Sequence, residues 1–192
     1  MAGCHDVPIS VHTARLLALL VFLAAGPAAA DLGERRITFG GFGTLAALYH
    51  DEDGLEYRRS VQQPRGAKAG ELDLETDSLL GVQVNAAWNR EIEGVVQAIT
   101  HLSPEGDWAP ELTRAFLRYT LDGALALRLG RYGWEIYPRA DSREVGYSQL
   151  GVRPAVEVFG FLPVDAIDGA EVALTHPLGV GLLTFKLYGG NA

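Results

Sequence analysis

The chain has 192 residues, a formal net charge of -8 and 48% hydrophobic residues. This length suits one domain or part of one, and the apolar content excludes an acidic disordered tail. The acidic balance argues against a nucleic-acid-binding protein, which needs a basic face, and the single Cys excludes an intramolecular disulfide.

The first thirty residues have the layout of a secretory signal peptide. The apolar stretch LLALLVFLAAGPAAA follows Arg15 and ends at Ala30. It is too short to cross a bilayer as a helix, and Ala28 and Ala30 occupy the two small-residue positions of a cleavage site. We predict cleavage after Ala30, which leaves one domain over 31–192. A short membrane anchor is the alternative interpretation.

The rest of the chain predicts β-strands in which apolar and polar residues alternate. Segments of about ten such residues are the signature of a membrane β-barrel. We predict seven strands, at 37–49, 79–88, 92–100, 112–121, 124–130, 170–175 and 179–188. The alternation is poor only in the third of them.

The predicted connections alternate between long loops and tight turns. Long or medium loops are predicted at about 50–78, 101–111 and 131–167, and tight turns at Asn89-Arg90, Asp122-Gly123 and His176-Pro177-Leu178. Long loops at one end of a meander and tight turns at the other are the layout of outer-membrane barrels. A soluble β-sandwich, whose strands also alternate, is the competing fold.

Four aromatic residues lie near the predicted strand ends. Trp88 and Tyr119 are beside tight turns, and Tyr49 and Tyr188 are at long-loop ends. Aromatic side chains with an apolar body and a polar tip favour a membrane interface. Ordinary packing is the alternative for each of them.

Several segments resemble the Gram-negative general porins. GGFGTLAALY (40–49) is similar to their first strand, and RAFLRYTLDGALALRLGRYGWEIYP (114–138) to a strand, turn, strand and the entry to the constriction loop. REVGYSQLGVRPAVEVFGFLP (143–163), followed by DGAEVALTH (168–176), resembles the subgroup proposed to pass dicarboxylates and similar anions.

This resemblance implies a transmembrane antiparallel up-and-down β-barrel of about sixteen strands in the outer membrane. It also implies a long loop folded into the pore, a homotrimer, and passive diffusion of small hydrophilic solutes without a chemical step or cofactor. Seven strands are too few for such a barrel, and the chain lacks the family's terminal aromatic residue. We therefore expect an N-terminal fragment of a longer porin. An exported β-sandwich that binds a ligand or surface, and a small barrel serving as an adhesin or anchor, are the alternatives.

The candidate selectivity residues are mostly arginines. If Leu and Ala positions face lipid, Arg114, Arg118 and Arg128 face the lumen, and Arg131 opens the long connection. That connection also carries Arg139, Arg143, Arg153, Glu135, Asp141 and Glu144. Charged side chains at a constriction select ions by sign, and the guanidinium fork matches carboxylates. We predict weak anion selectivity; the alternative is that these arginines are simply solvated or paired.

No enzymatic or metal-binding motif is found. His101, Ser103 and Asp107 lie in one loop but match no catalytic motif, and the His residues lack metal-ligand spacing. The acidic 50–77 loop is interpreted as a solvated outer loop, with bound divalent cations as the alternative.

Overall fold

The computed structural model describes residues 28–32, 35–135, 142–148, 155, 157, 160–161, 164 and 166–192. The strands are β1 (Ala28–Leu32), β2 (Arg35–Thr44), β3 (Glu56–Tyr57), β4 (Ala67–Lys68), β5 (Leu79–Ala87), β6 (Ile92–His101), β7 (Glu111–Leu121), β8 (Leu125–Gly133), β9 (Ala166–Leu178) and β10 (Gly181–Asn191). A short 3-10 helix spans Gly146–Ser148.

Eight of these strands form one antiparallel sheet. Their order is β1-β2-β5-β6-β7-β8-β9-β10, which is sequence order once β3 and β4 are set aside as a separate two-stranded sheet. The prediction of an all-β antiparallel meander is confirmed, because β2 and β5–β10 correspond to the seven predicted strands. Within the described residues, β1 and β10 are the two edges and do not pair with each other, so this sheet is not closed.

The first predicted strand extends too far at its C-terminal end. We predicted a strand to Tyr49, but β2 ends at Thr44. Beyond it the chain turns to the following loop: the Ala46 amide donates to Ser78 Oγ at 3.0 Å, and Leu48 forms an isolated bridge with Asp73. Exposed and buried residues continue to alternate through 45–50, but this segment contacts the following loop rather than the sheet.

The last hairpin turn was predicted in the wrong place. The turn is Gly179-Val180, and His176-Pro177-Leu178 lies inside β9. Pro177 is tolerated there because it is next to the closing pair of the hairpin, where its missing N–H would point away from β10. The missing N–H would point toward the side of β8, but β8 pairs with β9 only as far as Leu174, so no partner strand lies opposite Pro177 there.

The Asp122-Gly123 turn prediction is confirmed. Both residues have positive φ, 51° and 70°, as a type I′ turn requires. This turn joins β7 to β8 with the pair Leu121↔Leu125.

The predicted cleavage site lies in β1. This strand pairs with β2, with Ala30 opposite Ile37. Cleavage after Ala30 would leave only Asp31 and Leu32 of β1. The signal peptide stays a prediction, since residues 1–27 lie outside the described ranges.

Gly81 provides a local test of the sheet. Its neighbour across the β2–β5 ladder is Phe42, which is buried and lies over Gly81 so closely that a Cβ there would overlap the ring. We expect Gly81→Val to lower the free energy of unfolding by about 1–3 kcal/mol, the usual result of overpacking. Urea denaturation followed by Trp fluorescence measures this change.

Gly40→Val is the matched control. Gly40 lies on the same face of the same strand pair, but nothing lies within 4 Å of its Cβ position. Equal denaturation midpoints for the two variants would contradict the packing of Phe42 over Gly81.

Candidate functional site

The strand register divides the sheet into two chemically distinct faces. We call one the apolar face; it includes Ile37, Phe39, Val82, Val84, Val96, Leu117, Leu127, Leu129, Val172, Leu174, Leu183, Phe185 and Leu187. We call the other the polar face; it includes Arg36, Gln83, Glu93, Gln97, Arg114, Arg118, Arg128, Glu171 and Lys186.

The apolar face is exposed. Phe39, Leu129 and Phe185 have 51%, 66% and 65% of their surface accessible. Among the strand residues with described side chains, the charged ones on this face lie near its ends: Arg35 at the turn end, and Arg131 and Asp168 at the loop end. The middle of the face therefore carries no charge in the described strands.

A hydrogen-bonded network crosses the polar face. The Arg114 Nε donates to Gln97 Oε1 at 3.1 Å, and Gln97 Nε2 donates to Gln83 Oε1 at 2.7 Å. Gln83 Nε2 in turn donates to Asn85 Oδ1 at 2.8 Å. A β-bulge places Thr113 as an extra residue beside Arg114, and its hydroxyl also donates to Gln97 Oε1, at 2.9 Å. The network orients Arg114 at the loop end of β7.

Arg128 is tightly held by its neighbours. It donates to both carboxylate oxygens of Glu171 at 2.7 and 2.8 Å, and it also contacts Glu135 at 3.4 Å. Its guanidinium lies 4.8 Å from the ring centroid of Tyr132 and 5.2 Å from that of Phe116. Only 11% of its side chain and 7% of that of Glu171 is exposed, so this group is a largely buried ion pair on the polar face.

Arg118 also lies on the polar face, near the tight turns. It contacts Glu93 at 3.3 Å, and about half of each side chain is exposed. Exposed pairs of this kind contribute little to stability, about 0–1 kcal/mol.

Arg131 does not lie with the other arginines. We expected it at the opening of the long connection, but β8 continues to Gly133 and the alternation places Arg131 on the apolar face. It forms a bidentate pair with Asp168 at 2.8 and 2.6 Å and donates to the Leu112 carbonyl at 3.1 Å. This position is at the loop-end border of the apolar face, where a charged pair can meet a polar environment.

The described segment 142–148 of the long connection lies over the polar face. Val145 packs against the buried cluster of Phe42, Leu79 and Ile99, and residues around it are partly buried. This apolar cluster accounts in part for the poor alternation of the third predicted strand, because Ile99 lies on the polar face, where Val145 packs against it.

Charged residues of the connection accompany this packing. Glu144 forms an ion pair with Arg59 of the 50–78 loop and accepts a hydrogen bond from Arg143 at 3.2 Å. Burial, with the neighbouring charges of Arg59 and Arg114, lowers the pKa of Arg143 to about 10. The charges of Arg59, Arg114 and Arg143 thus lie near one another and form a positive cluster, and the carboxylates of Glu144 and Asp77 lie beside Arg59 and Arg143. Glu135 pairs with Lys186 of β10, whereas Arg139, Asp141 and Arg153 lie outside the described residues.

The predicted interface aromatics divide into two groups. Trp88 lies over Gly94 on the apolar face, and Tyr119 is on the same face, opposite Leu127. Tyr49 is 44% exposed beyond the loop end of β2. Tyr188 pairs with Glu171 and therefore lies on the polar face, which does not suit contact with lipid.

The His101, Ser103 and Asp107 side chains do not form a catalytic arrangement. Ser103 donates to Asp107 at 2.7 Å and holds the pKa of that carboxyl below its usual value, while the His101 Nε2 lies 4.0 Å from Glu111. The Ser and His side chains thus have separate partners. Among the described residues, no group of three His, Cys, Asp or Glu side chains is placed to hold a metal ion.

Sequence reasoning missed Arg59 and the apolar cluster that receives Val145. Arg59 lies in a loop that looks like a solvated acidic stretch, and no local pattern indicates its partner, 85 residues further along the chain. The cluster left a weak signal, since Phe42, Leu79 and Ile99 are apolar residues on the face that also carries Gln83, Gln97 and Arg114.

Comparisons with protein-family models, curated proteins and solved structures found no match to this chain. In the described part of the chain, no helix has the length and apolar character needed to cross a bilayer.

Arg128 and Arg118 provide a matched pair of variants. We expect Arg128→Met to lower the free energy of unfolding by about 3–5 kcal/mol, because it leaves the buried Glu171 carboxylate without its main partner. Arg118→Met should cost about 0–1 kcal/mol. Denaturation curves for both proteins give the two values, and similar losses would show that Arg128 is no more constrained than an exposed arginine.

Proposed function

We propose that this chain is the N-terminal part of an outer-membrane porin of a Gram-negative bacterium. The complete protein is a transmembrane β-barrel that assembles as a homotrimer. It lets small hydrophilic solutes, with a preference for anions, diffuse passively through a water-filled channel. The charges on the polar face line the channel, and the apolar face contacts lipid.

The observation that carries this proposal is the exposed apolar face. In a protein surrounded by water, such a continuous surface would be unfavourable and would be covered by another layer. In a membrane barrel, the same surface faces hydrocarbon, and charged residues are confined to its borders. The positions of Arg35, Arg131 and Asp168 fit that confinement.

The stagger of the tight turns gives further support. The β5–β6 hairpin ends at the pair Ala87↔Glu93, and Glu93 lies opposite Arg118 of β7. The β7–β8 hairpin ends three residues further along β7, at Leu121. The β9–β10 hairpin ends at Leu178, four residues beyond the level of Leu125↔Leu174. If these turns mark one rim, about 3.3 Å per residue and about 4.8 Å between strands give tilts of roughly 45° and 55° for the two steps. Both tilts have the same direction, and their size is at or above the upper limit of the range for barrel strands, about 35–45°.

The open edge of the sheet indicates that further strands are needed. Among the described residues, β10 pairs with β9 alone, and unpaired backbone groups in hydrocarbon cost several kcal/mol each. Closure of the barrel in lipid therefore requires strands beyond those described. The porin-like segments support a barrel of about sixteen.

The preference for anions is supported by the positive cluster of Arg59, Arg114 and Arg143. The three guanidinium groups lie close enough together for Arg59 and Arg114 to lower the pKa of Arg143, so an approaching anion is attracted by several positive charges at once. Guanidinium groups pair with carboxylates in bidentate geometry, which favours organic anions.

A nitroxide scan along β10 tests the membrane orientation. Single Cys variants at 183–187 are spin-labelled in the purified protein after reconstitution into phospholipid vesicles. We expect collisions with oxygen to dominate at Leu183, Phe185 and Leu187, and collisions with a water-soluble nickel chelate to dominate at Thr184 and Lys186, because the two sets lie on opposite faces.

Two results would contradict the membrane assignment. Access of the nickel chelate to all five positions would indicate a soluble protein. Protection of the apolar positions from both reagents would indicate a β-sandwich whose second layer covers them.

Ion selectivity is tested on the complete barrel by reversal potentials in planar bilayers. We expect Arg114→Gln to lower the anion-to-cation permeability ratio by roughly twofold. Removing one charge about 8 Å from a permeating ion changes its energy by about 0.5 kcal/mol in water and by about 0.2 kcal/mol after screening in about 0.1 M salt, with opposite signs for anions and cations. Arg131→Gln is the control, because Arg131 lies on the apolar face and its loss should leave the ratio unchanged. An unchanged ratio in Arg114→Gln would remove Arg114 from the selectivity site.

A further inference from the structure

The 50–78 loop is well ordered by its own contacts. His50 is buried and its Nε2 contacts the Ala67 carbonyl at 2.9 Å, while the Gly70 amide donates to the His50 carbonyl at 2.8 Å. Asp73 Oδ1 accepts from the amides of Glu75 and Thr76. These contacts close the loop on itself, so that it can present a side chain at a fixed position.

Gln63 fixes the part of the loop that carries Arg59. Gln63 is 6% exposed; its Oε1 accepts from the Arg59 amide at 2.7 Å, and its Nε2 donates to the Thr76 carbonyl at 2.9 Å. The guanidinium of Arg58 also donates to the Gln63 carbonyl, at 3.1 Å. The backbone at Arg59 is thereby attached to the inner side of the loop.

From this position the loop contacts the long connection at two points. The Arg59 guanidinium pairs with Glu144, and the two side chains are only 18% and 20% exposed. Further along, the Val61 amide donates to the Gly160 carbonyl at 3.0 Å. The second contact involves only backbone atoms, so it reports the position of the two loops independently of the ion pair.

We infer that Arg59 is a positioning residue that holds the long connection on the polar face. Val145 attaches the connection to the sheet by apolar packing. The neighbouring Glu144 attaches it to the 50–78 loop through the ion pair with Arg59. A cavity of only about 20 Å³ remains beneath the segment, lined by Arg59, Asp77, Arg143 and Glu144 among others. One consequence rests on the proposed function: in a channel, the segment held by Arg59 sets the width of the pore.

The arrangement also assigns a role to Glu144. Its carboxylate lies between Arg59 and Arg143, so it reduces the repulsion between two cations that face each other across the loops. Loss of the Arg59 charge frees Glu144 to neutralise Arg143 alone. The connection then keeps Val145 as its main attachment on this side and moves more readily away from the polar face.

The test is cross-linking between the two loops. Val61 and Phe161 are exposed, and the residue before Phe161 accepts the Val61 hydrogen bond, so a Val61→Cys, Phe161→Cys protein places two thiols close together. Cys4→Ser removes the remaining thiol. A short bifunctional thiol reagent should join the pair quickly in the native background, in vesicles or in isolated outer membranes.

The positioning role is tested by comparing backgrounds. We expect Arg59→Gln to slow the initial cross-linking rate by roughly tenfold, as loss of a networked ion pair would, and Arg59→Lys to restore most of it because the charge is kept. Arg65→Gln is the control: Arg65 is in the same loop, but pairs with Glu75 and is half-exposed. It should cross-link at the native rate.

Either of two outcomes overturns the inference. An unchanged rate in Arg59→Gln means that the ion pair does not hold the loops together. Absence of cross-linking in every background means that the loops are not apposed. Cross-linking does not depend on which face of the sheet contacts lipid, so a positive result together with access of the nickel chelate to all five labelled positions of β10 would reject the proposed function and leave the positioning role standing.

Discussion

A β-strand directs successive side chains to opposite sides of its sheet, and every other feature of this structure depends on that constraint. Because seven long strands pair in continuous register, with one bulge at Thr113, Leu, Val and Phe accumulate on one face and Arg, Glu and Gln on the other. A one-residue change of register would exchange the residues of the two faces, so neither face can change alone. The apolar face requires an apolar environment, and the charged face requires water or partners, so one periodicity defines both the surroundings of the protein and its candidate site.

The polar face is organised more by pairing than by solvation. Arg128 has two carboxylate partners and two aromatic rings, and Gln97 connects Arg114 to Gln83 on the neighbouring strand. Charges held in this way give a fixed field in place of a mobile one, because the low exposure of the groups limits their screening. The positive cluster differs, since the guanidinium groups of Arg59, Arg114 and Arg143 lie near one another as well as near carboxylates.

The two long loops have different structural tasks. The 50–78 loop closes on itself around His50, Gln63 and Thr76, and its acidic DEDGLE segment stays exposed. The long connection instead rests on the sheet through Val145 and depends on other elements for its position. A loop that is held by its own contacts can fix the position of a neighbouring loop, which is the physical basis for the role inferred for Arg59.

The sequence by itself determined the strands, their order and the two faces, because alternation with period two and turn residues such as Asp122-Gly123 act locally. It also placed Arg114, Arg118 and Arg128 on one side. Only the tertiary structure decided the rest: that β8 runs far enough to carry Arg131 to the apolar face, that the final turn falls at Gly179, and that Arg59 meets Glu144. Strand ends depend on what the neighbouring strand can pair with, and loop contacts join residues far apart in sequence. Neither kind of information is present in any short stretch of the chain.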